Sequence, residues 1–206
     1  MIPRPEAGEN PELCLDFTDT VNWRTSEHAS DGIADYESLL EWSRRKGLLG
    51  EATAGRLRGL VNGNAAVRKE VMTSARRLRE AIYRVFSASA HMRKADPEDM
   101  EVLNSYLEKG FSKMMVQNTG GGYKWAWRDD ESADMMLYPI ALSAADLLTS
   151  EDLPRVKECA NEEQGCGSLF LDCSKNQTRR WCSMDPCGNR MKVKAYYARH
   201  SRTKSA

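Results

Sequence analysis

The sequence predicts a mainly α protein: a helical N-terminal domain carrying one small β-hairpin, followed by a small C-terminal module of treble-clef type. Three observations predict it. Apolar residues recur at steps of three and four through much of residues 35–148. One stretch, 113–128, alternates around three glycines as a hairpin does. Five of the six cysteines, Cys159, Cys166, Cys173, Cys182 and Cys187, crowd into a segment with little apolar core of its own, and only Cys14 lies elsewhere.

Each element follows from local chemistry. Asp35 can cap a helix through Leu39, Leu40 and Trp42 that stops near Gly47. The clearest helix spans roughly Ala66 to Met92, its stripe formed by Val67, Val71, Leu78, Ile82 and Phe86, with Arg76, Arg77, Arg79 and Arg84 mainly on its other faces. Asp96-Pro97 is a cap followed by proline at the first helical position; Met100, Leu103 and Leu107 form the buried side and Gly110 the stop. Met114 to Gln117 and Tyr123 to Arg128 read as strands around Gly120-Gly121-Gly122, with Tyr123, Trp125 and Trp127 on one face. A further helix covers about Ser132 to Leu148, with a kink expected at Pro139. Ser150 to Pro154 joins the two parts, which divides the chain into a helical regulatory or ligand-binding domain, 1–152, and a cysteine-rich module, 153–206.

No apolar run approaches a bilayer span: the longest, Met135 to Leu142, contains Pro139. The N-terminal MIPRPEAGENPEL lacks the apolar segment of a secretory signal, so a cytoplasmic location is expected. The net charge of zero is a cancellation. From Ser174 onward nine Lys or Arg face one acid, Asp185, for +8, which leaves −8 on residues 1–173. An acidic body with a basic arm points to a polyanionic partner; the alternative is a merely solvated tail.

In a reducing cytosol, clustered thiols are metal ligands more often than disulfides. Cys159-x6-Cys166 and Cys182-x4-Cys187 form two pairs, with Cys173 between them, and four soft sulfurs are what tetrahedral zinc prefers. Leu169 to Asp172 and Thr178 to Trp181 flank a turn at Ser174 to Gln177, and Cys187-Gly188-Asn189-Arg190 opens a helix whose amides favour a thiolate. Knuckle, hairpin and helix around one metal make the treble-clef arrangement, with zinc supplying on the order of 10 kcal/mol of folding energy.

The segment from Cys159 to Arg190 resembles the CGNR-type zinc finger, named for the residues at Cys187-Gly188-Asn189-Arg190. The match includes Leu169-Phe170-Leu171-Asp172 and Arg180-Trp181-Cys182-Ser183-Met184. Leu15-Asp16-Phe17-Thr18-Asp19-Thr20, Trp125-x-Trp127-Arg128 and Ser143 to Leu148 are similar to the N-terminal stress-responsive regulator domain that accompanies this finger. The resemblance implies a bacterial transcription regulator with zinc on Cys159, Cys166, Cys182 and Cys187. Two departures stand out: two extra residues between the first pair, and Cys173 where the family has another residue, so Cys173 remains the competing ligand. His200 lies too far along the helix from Cys187 to share its metal and reads as a surface residue.

Plotted at 100° per residue, the last helix gathers Met191, Ala195 and Ala198 on one side, flanked by Arg190, Lys194 and Tyr197, with Lys192, Tyr196 and Arg199 opposite. Two basic strips suit phosphates, which position a protein without reading sequence. Asn189 and Arg190 are the candidates for base edges, unless they serve the finger's own fold. Arg179 and Arg180 extend the basic surface; Trp181 between them and Cys182 reads as core rather than a stacking platform.

The body offers no nucleophile–base order and no phosphate loop, since Gly120-Gly121-Gly122 lacks the Lys and Ser/Thr that would follow. The polar cluster Asp16, Asp19, Asn22, Trp23 and Arg24 is either a capping network or the wall of an effector pocket, with Asn22, Trp23, Arg24 and Trp125 as its ligand-binding residues. The expected function is a zinc-containing, DNA-binding regulator, a homodimer with a small-molecule effector and no membrane partner. The competing reading is an enzyme of unassigned chemistry with a catalytic body; a protein-interaction module is a third.

Overall fold

The computed structural model describes residues 12–128 and 132–202. Lys204 lies outside them, and so do the side chains of Ala195, Tyr196, Ala198, Arg199, His200 and Arg202, including the candidate phosphate contact Arg199. The described residues form helices α1 (Leu13–Thr18), α2 (Tyr36–Arg45), α3 (Glu51–Val61), α4 (Ala65–Ala90), α5 (Pro97–Lys113), α6 (Leu137–Leu148) and α7 (Asn189–Arg202). Three two-stranded antiparallel ribbons complete them: β1 (Val21–Asn22) with β2 (Ser30–Asp31), β3 (Met114–Asn118) with β4 (Tyr123–Trp127), and β5 (Val156–Glu158) with β6 (Leu169–Leu171). The mainly α class read from the sequence is what the chain has.

α4 is the axis of the body. The Asn64 side chain accepts from the Val67 amide at its start, and the helix buries Val71, Met72, Ala75, Leu78, Ile82, Val85 and Phe86. α1, α2, α3, α5 and the β5–β6 ribbon all pack along it. α2 opens with a reciprocal Asp35–Ser38 capping box, and its Trp42 meets Phe17 of α1 at 5.4 Å between ring centroids. α3 has no counterpart among the expected helices. Two glycines and only three buried apolar residues, Ala54, Leu57 and Val61, give it a thin stripe that only its neighbours make helical.

Three local expectations need correction. α5 does not stop at Gly110: it runs on to Lys113, and Gly110 is buried where a side chain would meet Cβ of Tyr138 at 3.4 Å. The glycine serves the close approach of α6 rather than a helix end. α6 starts at Leu137, so Pro139 occupies its first turn, where a missing N–H costs nothing, and no kink is needed. Arg79 is not on a solvent face of α4 but 3% exposed. Its guanidinium is held by Asp31 at 2.7 and 2.9 Å and by the Thr20 hydroxyl at 2.9 Å.

The cysteine-rich module is not a separate bead. Val156, Leu169 and Leu171 belong to the same apolar core as α1, α4 and α6. Glu158 accepts from the Tyr83 and Ser87 hydroxyls of α4 at 3.1 and 2.8 Å. The module's hairpin also lies one segment earlier than the sequence implies: β6 pairs back with β5 across the first cysteine pair, not forward with residues 178–181. The reason is Asp172, which is fully buried and uses its carboxylate to accept from the Ser174 and Arg179 amides, at 3.0 and 2.9 Å, and from Lys157 at 2.6 Å. The loop that follows closes on a side chain instead of a strand ladder. Burial alone would raise that carboxyl, but these partners hold it well below the usual carboxylate range.

Candidate metal centre

Four sulfurs converge between the knuckle and the start of α7. Cys159 follows β5, Cys166 precedes β6, Cys182 ends the loop after β6, and Cys187 sits just before Asn189. Their Sγ atoms all lie within 4.8 Å of one another, with Cys166–Cys182 at 3.6 Å and Cys182–Cys187 at 3.9 Å. A zinc–sulfur bond of about 2.3 Å places tetrahedral sulfurs about 3.8 Å apart, so the spacing suits a central zinc ion. Cys173 is exposed and outside the cluster. Four thiolates leave such an ion no open position, which makes its role structural.

The donors around the sulfurs are unequal. The Cys182 amide donates to Cys159 Sγ at 3.4 Å, the Asn161 side-chain amide to Cys187 Sγ at 3.4 Å, and the Ser168 hydroxyl lies 3.5 Å from Cys166 Sγ. Hydrogen bonds from the Cys159 and Cys182 thiols, with further help from Ser168, hold Cys166 far below the ordinary thiol range. Sharing its proton with Cys166 pushes Cys159 up to about 12, and contacts with Cys159 and Cys166 push Cys182 up as well. The cluster by itself thus favours a single thiolate, and only a cation at its centre lets all four sulfurs ionise together.

The knuckle is locked to the body. The Arg24 amide donates to the Cys166 carbonyl and the Thr25 amide to the Gly165 carbonyl, both at 3.0 Å. Trp23 and Trp181 pack against the cysteines, so Trp181 is a core residue of the finger. Gly165 has φ +68°, and a Cβ there would lie 2.5 Å from the Ser26 amide nitrogen. Gly165→Ala should therefore cost about 3 kcal/mol or more in urea unfolding. Gly63→Ala, at φ +72° with open space around it, should cost only about 1 kcal/mol. Equal losses at both sites would mean that the knuckle does not need this contact.

The candidate nucleic-acid residues separate into fixed and free. Arg179 is fixed: it lies over the Phe170 ring at 4.7 Å and donates to the carbonyls of Trp181, at 2.8 Å, and Cys182. Arg180 is exposed beside Trp181, and Asn189, Lys192 and Lys194 are exposed at the start of α7. Arg190 turns toward the knuckle, donating to Gln164 Oε1 at 3.2 Å and lying 5.8 Å from the Trp23 ring centroid, while Lys194 pairs with Glu163. Charge patterning gave no sign of this acidic turn beneath the basic helix. Gly188 fits under Met184, whose Sδ would be 3.0 Å from a Cβ.

Two clefts border the finger. One, of about 640 Å³, lies between residues 23–28 of the body and residues 162–165 and Arg190 of the finger. The other, about 380 Å³, borders Cys166, Cys182 and Cys187 and is lined on the body side by Asp16, Asp19, Asn22 and Trp23. Burial, with the negative charges of Cys166 and Asp16, pushes the Asp19 carboxyl up to about 8. Of the expected effector residues, Asn22 and Trp23 meet at the second cleft. Arg24 turns away to Glu80, the Thr18 carbonyl and the Tyr83 ring, and Trp125 stands on the β3–β4 ribbon opposite Val116.

Comparison with known families gives two matches. Residues 12–151 match the ABATE model, described as "Putative stress-induced transcription regulator", and residues 155–200 match the CGNR zinc finger. No curated protein matches the chain.

Proposed function

The chain belongs to the ABATE family and carries a CGNR zinc finger, and on that premise we propose that it is a zinc-dependent regulator of transcription that binds DNA. The observation that carries this reading is the +8 segment from Ser174 onward, with the exposed Asn189, Lys192 and Lys194 placed within two turns after a zinc ligand. In this reading residues 153–206 grip the duplex as a treble-clef finger and residues 1–152 regulate it. Asn22 and Trp23 contribute to an effector cleft, and two copies bind together. Zinc fixes where α7 begins and hence which side chains face phosphate. Arg180, Lys192 and Lys194 position the helix, and Asn189 and Arg190 reach base edges once Arg190 leaves Gln164.

The test is binding to a DNA library at several salt concentrations. Each phosphate contact contributes about −0.9 to the slope of log K against log salt, so Lys192→Ala should flatten that slope by about 1 without changing the preferred sequence. Arg190→Ala should relax one base position at a cost of about 1–3 kcal/mol. Because Lys194 must leave Glu163 to reach a phosphate, Glu163→Gln should tighten binding by up to about fivefold, the range of an exposed ion pair. Binding indifferent to salt would overturn the proposal.

A further inference from the structure

The four sulfurs differ in how well they are shielded, and that difference carries a chemical consequence. Cys159, Cys166 and Cys187 are 3%, 4% and 1% exposed. Cys187 and Cys159 also accept from the Asn161 side-chain amide and the Cys182 backbone amide, each at 3.4 Å, and Cys166 lies 3.5 Å from the Ser168 hydroxyl. Cys182 is half-buried, its Sγ is 4.0 Å from the Ser183 hydroxyl, and it lines the 380 Å³ cleft together with Cys166 and Cys187, of which it is the most exposed. N–H and O–H donors draw electron density from a thiolate and occupy the lone pairs that would attack. A sulfur with few donors that faces solvent is the nucleophilic one.

We propose that Cys182 is a modification site, at which a small neutral hydroperoxide oxidises the finger through the cleft and releases its metal. The cleft is lined by Asp16 and Asp185, so anionic oxidants are disfavoured while an uncharged peroxide is not. The Cys182 sulfur attacks the terminal O–H oxygen of the peroxide, the O–O bond breaks, the remaining oxygen leaves as hydroxide (from hydrogen peroxide), and the residue becomes a sulfenic acid. Cys166, 3.6 Å away, then attacks that sulfur and expels a second hydroxide to form the disulfide. Two thiolates lose two electrons, one peroxide gains them, and both hydroxides are protonated by the surrounding buffer. Zinc is left with two ligands and dissociates. Cys187, at 3.9 Å, is the alternative resolving partner.

The experiment uses the full chain, zinc-loaded, with the exposed Cys173 replaced (Cys173→Ser) so that its thiol does not confuse the count. Hydrogen peroxide is added, zinc release is followed with a chromogenic chelator, and a sulfenic-acid-specific reagent maps the first site by mass spectrometry. The expected result is labelling of Cys182 ahead of the other three ligands by roughly tenfold, with zinc release at the rate of Cys182 oxidation. Cys182→His, which supplies a nitrogen ligand instead, should keep zinc and slow peroxide-driven release by roughly tenfold or more. First labelling at Cys159, Cys166 or Cys187, or unchanged release from Cys182→His, would overturn the proposal. Loss of DNA binding plays no part in these readouts, so the regulator reading and this one fail separately.

Discussion

Withdrawal of zinc is expected to unfold more than the finger. A strong chelator, or Cys187→Ser, should abolish protection of the β5–β6 amides in hydrogen exchange and lower the stability of the body at the same time. A structural zinc site contributes on the order of 10 kcal/mol, comparable to the whole stability of a domain this size. The path into the body is explicit. The knuckle carbonyls of Gly165 and Cys166 accept from Thr25 and Arg24, and Val156, Leu169 and Leu171 sit in the body's core. Without the metal, the four cysteine-bearing segments lose their common anchor and these apolar residues lose their fixed position. Calorimetry of the apo and zinc-loaded chains distinguishes the outcomes. A body transition at the same temperature in both would show that finger and body are energetically separate.

A second large effect is expected at the buried Arg79. Asp31→Ala leaves a guanidinium whose side chain is 4% exposed facing only Glu80, at 3.3 Å, and the Thr20 hydroxyl. Stripping one partner from a buried pair costs about 3–5 kcal/mol. Arg79→Met should cost less: the Asp31 side chain is 29% exposed and retains Arg76 at 3.5 Å. The order of the two losses in urea unfolding is the prediction, and a larger loss for Arg79→Met would contradict it. The same pair gives a pH dependence. Burial alone would raise the Asp31 carboxyl, but hydrogen bonds from Arg79 and the Ile33 amide hold it below the ordinary carboxylate range. Its contribution is therefore complete above the unfolded value of about 3.9 and is lost as pH falls through the lower folded value. Asp31→Asn should flatten that acid limb.

Much of this was legible in the residues themselves. Asp35 and Asp96 cap α2 and α5 as read, and the apolar stripe of α4 is continuous enough to read without neighbours. The metal ligands were legible because two close pairs of soft sulfurs at knuckle spacing are what tetrahedral zinc prefers. What escaped reading depends on the third dimension. α3 owes its helix to packing, Gly110 is needed by a helix that lies 28 residues further on, at Tyr138, and Arg79 is buried because Asp31 arrives from another ribbon. Local periodicity holds none of those partners. The acidic turn at Glu162 and Glu163 belongs to the same class. It lies between Cys159 and Cys166, and only the folded chain brings it under Arg190 and Lys194.

The ribbon that ends in the finger gives three of its apolar side chains to somebody else's interior. An engineer who cut at the linker and grafted residues 153–206 onto a different protein would carry away an oily strand with no wall to lean on. The transplant would travel only with a host helix offering what Tyr83 and Ser87 offer to Glu158. In a lineage of shuffled genes, these two parts should be inherited as a couple.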